Sequence, residues 1–96
     1  MDLTVLVVPA CPHTALLRER LALALKERPD TEVTWREITD VQEAERLGMH
    51  GSPTLLINGV DPLAPPGQAP SLSCRVGALP SVDQLRALFT EAAPRN

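Results

Sequence analysis

Leu3-Thr4-Val5-Leu6-Val7-Val8-Pro9-Ala10-Cys11-Pro12-His13-Thr14 is the stretch that decides how this chain folds. Leu3 to Val8 is a continuous apolar run rich in β-branched residues, the pattern of a central strand buried on both faces. Pro9 closes it. From Pro12 to Arg28 the period changes. Leu17, Leu21, Ala24 and Leu25 fall on one helical stripe, Arg18, Glu19, Lys26 and Glu27 lie largely outside it, and Pro29 stops the pattern. A cysteine therefore stands where a buried strand hands over to an amphipathic helix.

Working outward, Glu32 to Ile38 alternates, Val33 and Trp35 against Thr34 and Arg36, and predicts a second strand. Asp40 can cap a short helix through Leu47, with Glu43 completing a capping box and Gly48 ending it. His50-Gly51-Ser52-Pro53 reads as a turn, and Thr54 to Asn58 as an apolar strand stopped by the turn dipeptide Asn58-Gly59. Val60 to Pro70 is rich in proline, glycine and alanine and predicts a surface loop. Leu72, Cys74 and Val76 alternate with Ser73 and Arg75, which predicts a fourth strand with the cysteine on its apolar face. Ser81 caps a last helix, with Gln84 at the capping-box position and Leu85, Leu88 and Phe89 inward. The order β-α-β-α-β-β-α predicts an α/β fold. It begins with a parallel βαβ unit and ends with a hairpin and a helix, giving a four-stranded mixed sheet with helices on both faces. Residues 1–96 are expected to form a single domain.

Composition narrows the function. Hydrophobic residues make up 44% of the 96 and charged ones 22%, a globular balance despite ten prolines. The net charge of −3 argues against a nucleic-acid or anionic-membrane partner. One Trp, one Phe and no Tyr leave no aromatic platform for stacking bases. The opening MDLTVLVVPA is acidic at its start and too short to span a membrane, so no export signal and a cytoplasmic protein are expected; a monomer is a separate expectation. In a reducing compartment the two cysteines, Cys11 and Cys74, are either reactive or simply packed.

Cys11 has the position of a nucleophile. Helix N–H groups and the positive end of the helix dipole favour the thiolate, and such settings bring a cysteine pKa from about 8.5 to roughly 3.5–7.5. The competing reading is a small buried residue in a tight strand-to-helix turn. For Cys74, a sheet in which the strand of Thr54 to Asn58 lies between the two cysteine-bearing strands separates them by two strand spacings, about 10 Å. A disulfide needs Cα atoms within about 7 Å, so Cys74 is expected to be a packed thiol, with a resolving role as the alternative. Cys11, His13, His50 and Cys74 match no common zinc spacing; no metal and no cofactor are expected.

Pro9-Ala10-Cys11-Pro12-His13-Thr14 after a strand and before a helix resembles the active-site motif of the thioredoxin-like superfamily. Gly51-Ser52-Pro53-Thr54-Leu55-Leu56-Ile57-Asn58-Gly59 resembles its cis-proline stretch, and Arg75-Val76-Gly77-Ala78-Leu79 its approach to the last helix. The resemblance implies a thiol-disulfide oxidoreductase with Cys11 as nucleophile, a cis Ser52-Pro53 bond beside the sulfur, and Ser52 offering its backbone to a thiol- or disulfide-bearing protein or small-molecule substrate. The dithiol members carry a second cysteine where this chain has Thr14, so the implied relatives are monothiol members in which a Ser or Thr hydroxyl bonds the thiolate. His13 is a secondary candidate for a cation near the thiolate. Two other uses stay open: a non-catalytic peptide- or partner-binding module beside Pro53, or a soft-metal or organomercurial-handling protein. The latter follows from a resemblance to small alkylmercury-lyase-like proteins in Gly59-Val60-Asp61-Pro62 and Ser73-Cys74-Arg75. There Asp61 would join the two cysteines, whereas an Asp before Pro is ordinarily a turn residue.

Overall fold

The apolar run at the start of the chain is the middle strand of a sheet. A computed structural model describes residues 2–62, 71–74 and 79–92. Its elements are β1 (Leu3–Val7), α1 (His13–Ala24), β2 (Val33–Glu37), α2 (Val41–Leu47), β3 (His50–Ser52), β4 (Thr54–Ile57), β5 (Ser71–Cys74) and α3 (Val82–Ala92). β1 pairs in parallel with β2, Leu3 opposite Val33 and Val7 opposite Glu37. On its other edge it pairs antiparallel with β4, Leu3 opposite Ile57 and Leu6 opposite Thr54. The result is an α/β molecule with a three-stranded mixed sheet in the order β2-β1-β4 and three helices.

Alternation along β1 and β4 sends side chains to two cores. Leu3, Val5, Val7, Leu55 and Ile57 pack with Leu17, Leu21 and Ala24 of α1 and Leu85 and Phe89 of α3. On the opposite face Leu6 and Leu56 meet Ile38, Met49 and Ala44 of α2. The helix ends follow local chemistry. Asp40 accepts a bond from the Gln42 amide at 2.9 Å and Gly48 closes α2 at φ 76, the left-handed conformation that suits glycine. Glu43 does not complete a capping box; it pairs with Arg36 of β2 at 3.1 Å. Before α3 the box does form: the Gln84 amide donates to Ser81 Oγ at 3.1 Å and the Ser81 amide to Gln84 Oε1 at 2.8 Å. α1 stops at Ala24, short of the expected Arg28, and passes into tight turns with Lys26 N–H on Leu23 O and Arg28 N–H on Leu25 O. A chain approaching Pro29 is turned out of the helical region.

The expected four-stranded sheet is not what forms among the described residues. Ser71–Cys74 does not make a hairpin with the strand of Thr54 to Ile57; it runs parallel to His50–Ser52 as a separate two-stranded sheet, with His50 opposite Ser71 and Ser52 opposite Cys74. Two physical features bear on this. Asn58 at φ 53 and Gly59 at φ 82 make a tight primed-type turn, after which Val60 exchanges both backbone bonds with Ile57 at 2.8 and 3.1 Å. The chain leaving this turn is hydrogen-bonded to the end of β4 at Ile57 alone. His50–Ser52, expected as a turn, is extended instead: Gly51 holds φ 120, which glycine alone adopts readily, and the register with Ser71–Cys74 shifts by one residue across it. The inward placing of Cys74 with Leu72 and Val76, and the Arg75 to Ala78 part of the motif before the last helix, fall outside the described residues, as do residues 63–70 of the loop.

Candidate active site around Cys11

β1 ends in a sharp reversal. The Cys11 amide donates to Val8 O at 3.3 Å across Pro9 and Ala10, and Ala10 sits at φ 61, so Pro in the second place and positive φ in the third give the pattern of a type II turn. Alanine in that region costs roughly 1–2 kcal/mol, and the turn drops Cys11 at the mouth of α1. Pro12 takes the N-cap position, and the Thr14 amide donates to Cys11 O at 3.2 Å. The sulfur therefore stands at the positive end of a 12-residue helix.

From the other side comes β3. The Ser52-Pro53 peptide is cis, as the resemblance implies, and the Cys11 thiol points at the Ser52 carbonyl with Sγ···O 3.8 Å. Ser52 is fully buried, and its hydroxyl accepts a bond from the Val8 amide at 3.0 Å, tying the end of β1 to β3. Thr54 donates to Gly51 O at 2.6 Å and braces the same bend. The two motifs, some forty residues apart in sequence, thus meet at one sulfur.

Cys11 is 8% exposed, and what exposure it has opens into a groove of about 680 Å³. One wall is the Val8-Pro9-Ala10 turn, the floor is the α1 face bearing Thr14, Arg18 and Ala22, and Trp35 of β2 forms the far side. The Arg18 guanidinium lies over the Trp35 ring, 4.3 Å from its centroid, a cation–π contact. Arg18 was expected outside the apolar stripe, and so it is; its place beside the groove was legible only in its spacing, four and seven residues on from Thr14 and Cys11 along one helix face.

The other candidates sort by position. Thr14 lines the groove, but its buried Oγ1 makes no hydrogen bond among the described residues, so the expected bond to Cys11 is not formed here. His13 belongs to a different depression, with Leu16, Arg20 and Leu79. Asp61 follows the hairpin at the Leu3 end of β1, opposite the end that leads to Cys11, and is not among the residues that line the groove. It does not converge with Cys11. Among the described residues no group of three His, Cys, Asp or Glu side chains gathers as a metal site, and no helix is long and apolar enough to cross a membrane. The backbone of Cys74 is in register with Ser52, which sequence spacing alone did not signal. No family model, curated protein or solved structure matches this chain.

Proposed function

We propose that this chain is a thioredoxin-like thiol-disulfide oxidoreductase that captures disulfide-bearing substrates on Cys11. The observation that carries the reading is the meeting of the Cys11 sulfur, at the N-terminus of α1, with the Ser52 carbonyl that precedes a cis proline, 3.8 Å apart. In this reading the thiolate attacks one sulfur of a disulfide; a mixed disulfide forms on Cys11 and the second substrate sulfur leaves as a thiolate.

Two effects oppose each other at Cys11. Burial raises a thiol pKa, while the helix terminus lowers it by a term worth about 0.3–2 kcal/mol, or up to roughly 1.5 pH units. The reading requires the helix terminus to outweigh the burial of a side chain that is 8% exposed, and the labelling experiment reads that balance directly. Trp35 and Arg18, stacked along the groove, offer a flat cationic surface to a small thiol compound or an extended peptide. In this reading the chain works in a reducing compartment such as the cytoplasm, which keeps the nucleophile available.

The test is the pH dependence of iodoacetamide labelling, with Cys11→Ser as control. Labelling of Cys11 with a midpoint below about 8.5, together with formation of a mixed disulfide by wild type and its absence at that position in Cys11→Ser, supports the reading. A midpoint at or above that of a free cysteine, with no mixed disulfide on Cys11, rejects it and favours a binding module built on the same fold.

A further inference from the structure

We propose that Cys11 and Cys74 form a redox pair in which Cys74 resolves the mixed disulfide on Cys11, an inference that rests on the exchange reaction proposed above. Ser52 is the link between the two positions. Its carbonyl oxygen lies 3.8 Å from the Cys11 sulfur, and its register partner on the adjacent parallel strand is Cys74. Neighbouring strands run about 4.7–4.9 Å apart, so the Cys74 backbone lies one strand spacing from Ser52, whose carbonyl the Cys11 sulfur touches. A hairpin order would have put two strand spacings and an intervening strand between the cysteines; β5 instead lies next to the residue that the Cys11 sulfur touches.

The sequence leaves the role open to be filled. The chain holds two cysteines. Three residues beyond Cys11, where a second thiol on the same helix would sit, it has Thr14, whose Oγ1 makes no hydrogen bond among the described residues. Any resolving thiol within the chain must therefore come from Cys74, and β5 brings its backbone to the site.

The reaction balances in two exchanges. With a substrate disulfide R–S–S–R, the Cys11 thiolate forms an S–S bond to one sulfur, the substrate S–S bond breaks, and R–S⁻ leaves and takes a proton from water. The Cys74 thiol, giving its proton to water, then bonds to the Cys11 sulfur; the mixed disulfide breaks and the second R–S⁻ leaves and is protonated. The substrate gains two electrons and two protons; the chain loses two electrons and, counting the one Cys11 released to water on ionising, two protons on closing Cys11–Cys74. An external thiol reductant returns the pair to its starting state by the reverse exchanges.

The experiment uses the fully reduced whole chain and a small excess of dithiodipyridine, reading the released thiopyridone by absorbance and the protein by intact mass and peptide mapping. Wild type is expected to release two equivalents, to end lighter by two hydrogens without a retained adduct, and to yield a linked Cys11–Cys74 peptide. Cys74→Ser is expected to release one equivalent and to hold the adduct on Cys11. A resolving thiol at an effective concentration in the millimolar range, against micromolar external thiol, makes the adduct at least about a hundredfold shorter-lived in wild type. If the adduct persists equally in both, or if wild type carries one adduct on each cysteine, the pairing is wrong while capture on Cys11 stands. If neither protein is modified at Cys11, the exchange reading itself falls. Cys74→Ala replaces the serine variant if that one does not fold, and the wild-type peptide map needs no variant.

Discussion

Replacing Ser52 by Ala isolates a side-chain bond that fastens the end of β1 to β3. The change removes a single oxygen and no methyl group, so it opens almost no cavity and the cost is that of the hydrogen bond alone. Ser52 is fully buried and its Oγ accepts from the Val8 amide at 3.0 Å. Without it a backbone N–H at the end of the central strand loses its acceptor, which costs about 1–3 kcal/mol when water cannot replace it. Val8 itself is half-buried, so partial hydration places the loss in the lower part of that range, about 1–2 kcal/mol. Urea unfolding should report it as a lower midpoint with an unchanged slope, and thermal unfolding as a fall of about 4–8 °C for each kcal/mol. Because the Cys11 contact is to the Ser52 backbone carbonyl, which the substitution retains, formation of the mixed disulfide should survive. Stability equal to wild type within about 0.3 kcal/mol would show that the Val8 amide is equally well served without Ser52, and the account of this joint would be wrong.

Phe89→Ala empties the centre of the larger core, where Phe89 is fully buried, and should cost about 3–5 kcal/mol, enough to leave most molecules unfolded in mild denaturant by circular dichroism. Ser81→Ala removes one half of the reciprocal cap on α3 and should cost about 1 kcal/mol in the same assay, without altering Cys11 labelling. Gly48→Ala meets nothing within 4 Å but inherits φ +76; a loss of roughly 1–2 kcal/mol is expected from backbone conformation alone, and Gly48→Asn should recover part of it.

Legibility in the sequence followed the range of the interactions. β1, β4, α1, the caps of α2 and α3 and the Asn58-Gly59 turn are specified by neighbours within a few residues, and the patterns of burial and capping there are read directly from Leu3 to Val7, Asp40, Gly48 and Ser81. The meeting of Cys11 with Ser52 required the resemblance of two separated motifs, since nothing local to either names the other. The partner of Ser71–Cys74 was misread because pairing between strands is a long-range choice. Alternation of Leu72 and Cys74 signals a strand, but not that it would pair with His50–Ser52. The Arg18–Trp35 contact was missed for a related reason: an exposed arginine on a helix and a half-buried tryptophan on a strand carry no mark of each other until β2 is laid beside β1.

Among the described residues the two cores are unequal, and this predicts two rates of opening. α1 and α3 close the face centred on Val5 and Phe89, whereas the opposite face rests on Leu6, Ile38, Ala44, Met49 and Leu56 under a seven-residue helix. Fluctuations that expose amides follow the smaller buried cluster first, so the protons of Ala44 and Met49 should exchange with deuterium through partial opening while those of Val5 and Leu21 wait for global unfolding. β3 leads directly out of that thinner layer. Cys11 thus lies between a helix packed in the core around Phe89 and a strand reached through the core around Met49, and the two sides of the sulfur are expected to loosen at different rates.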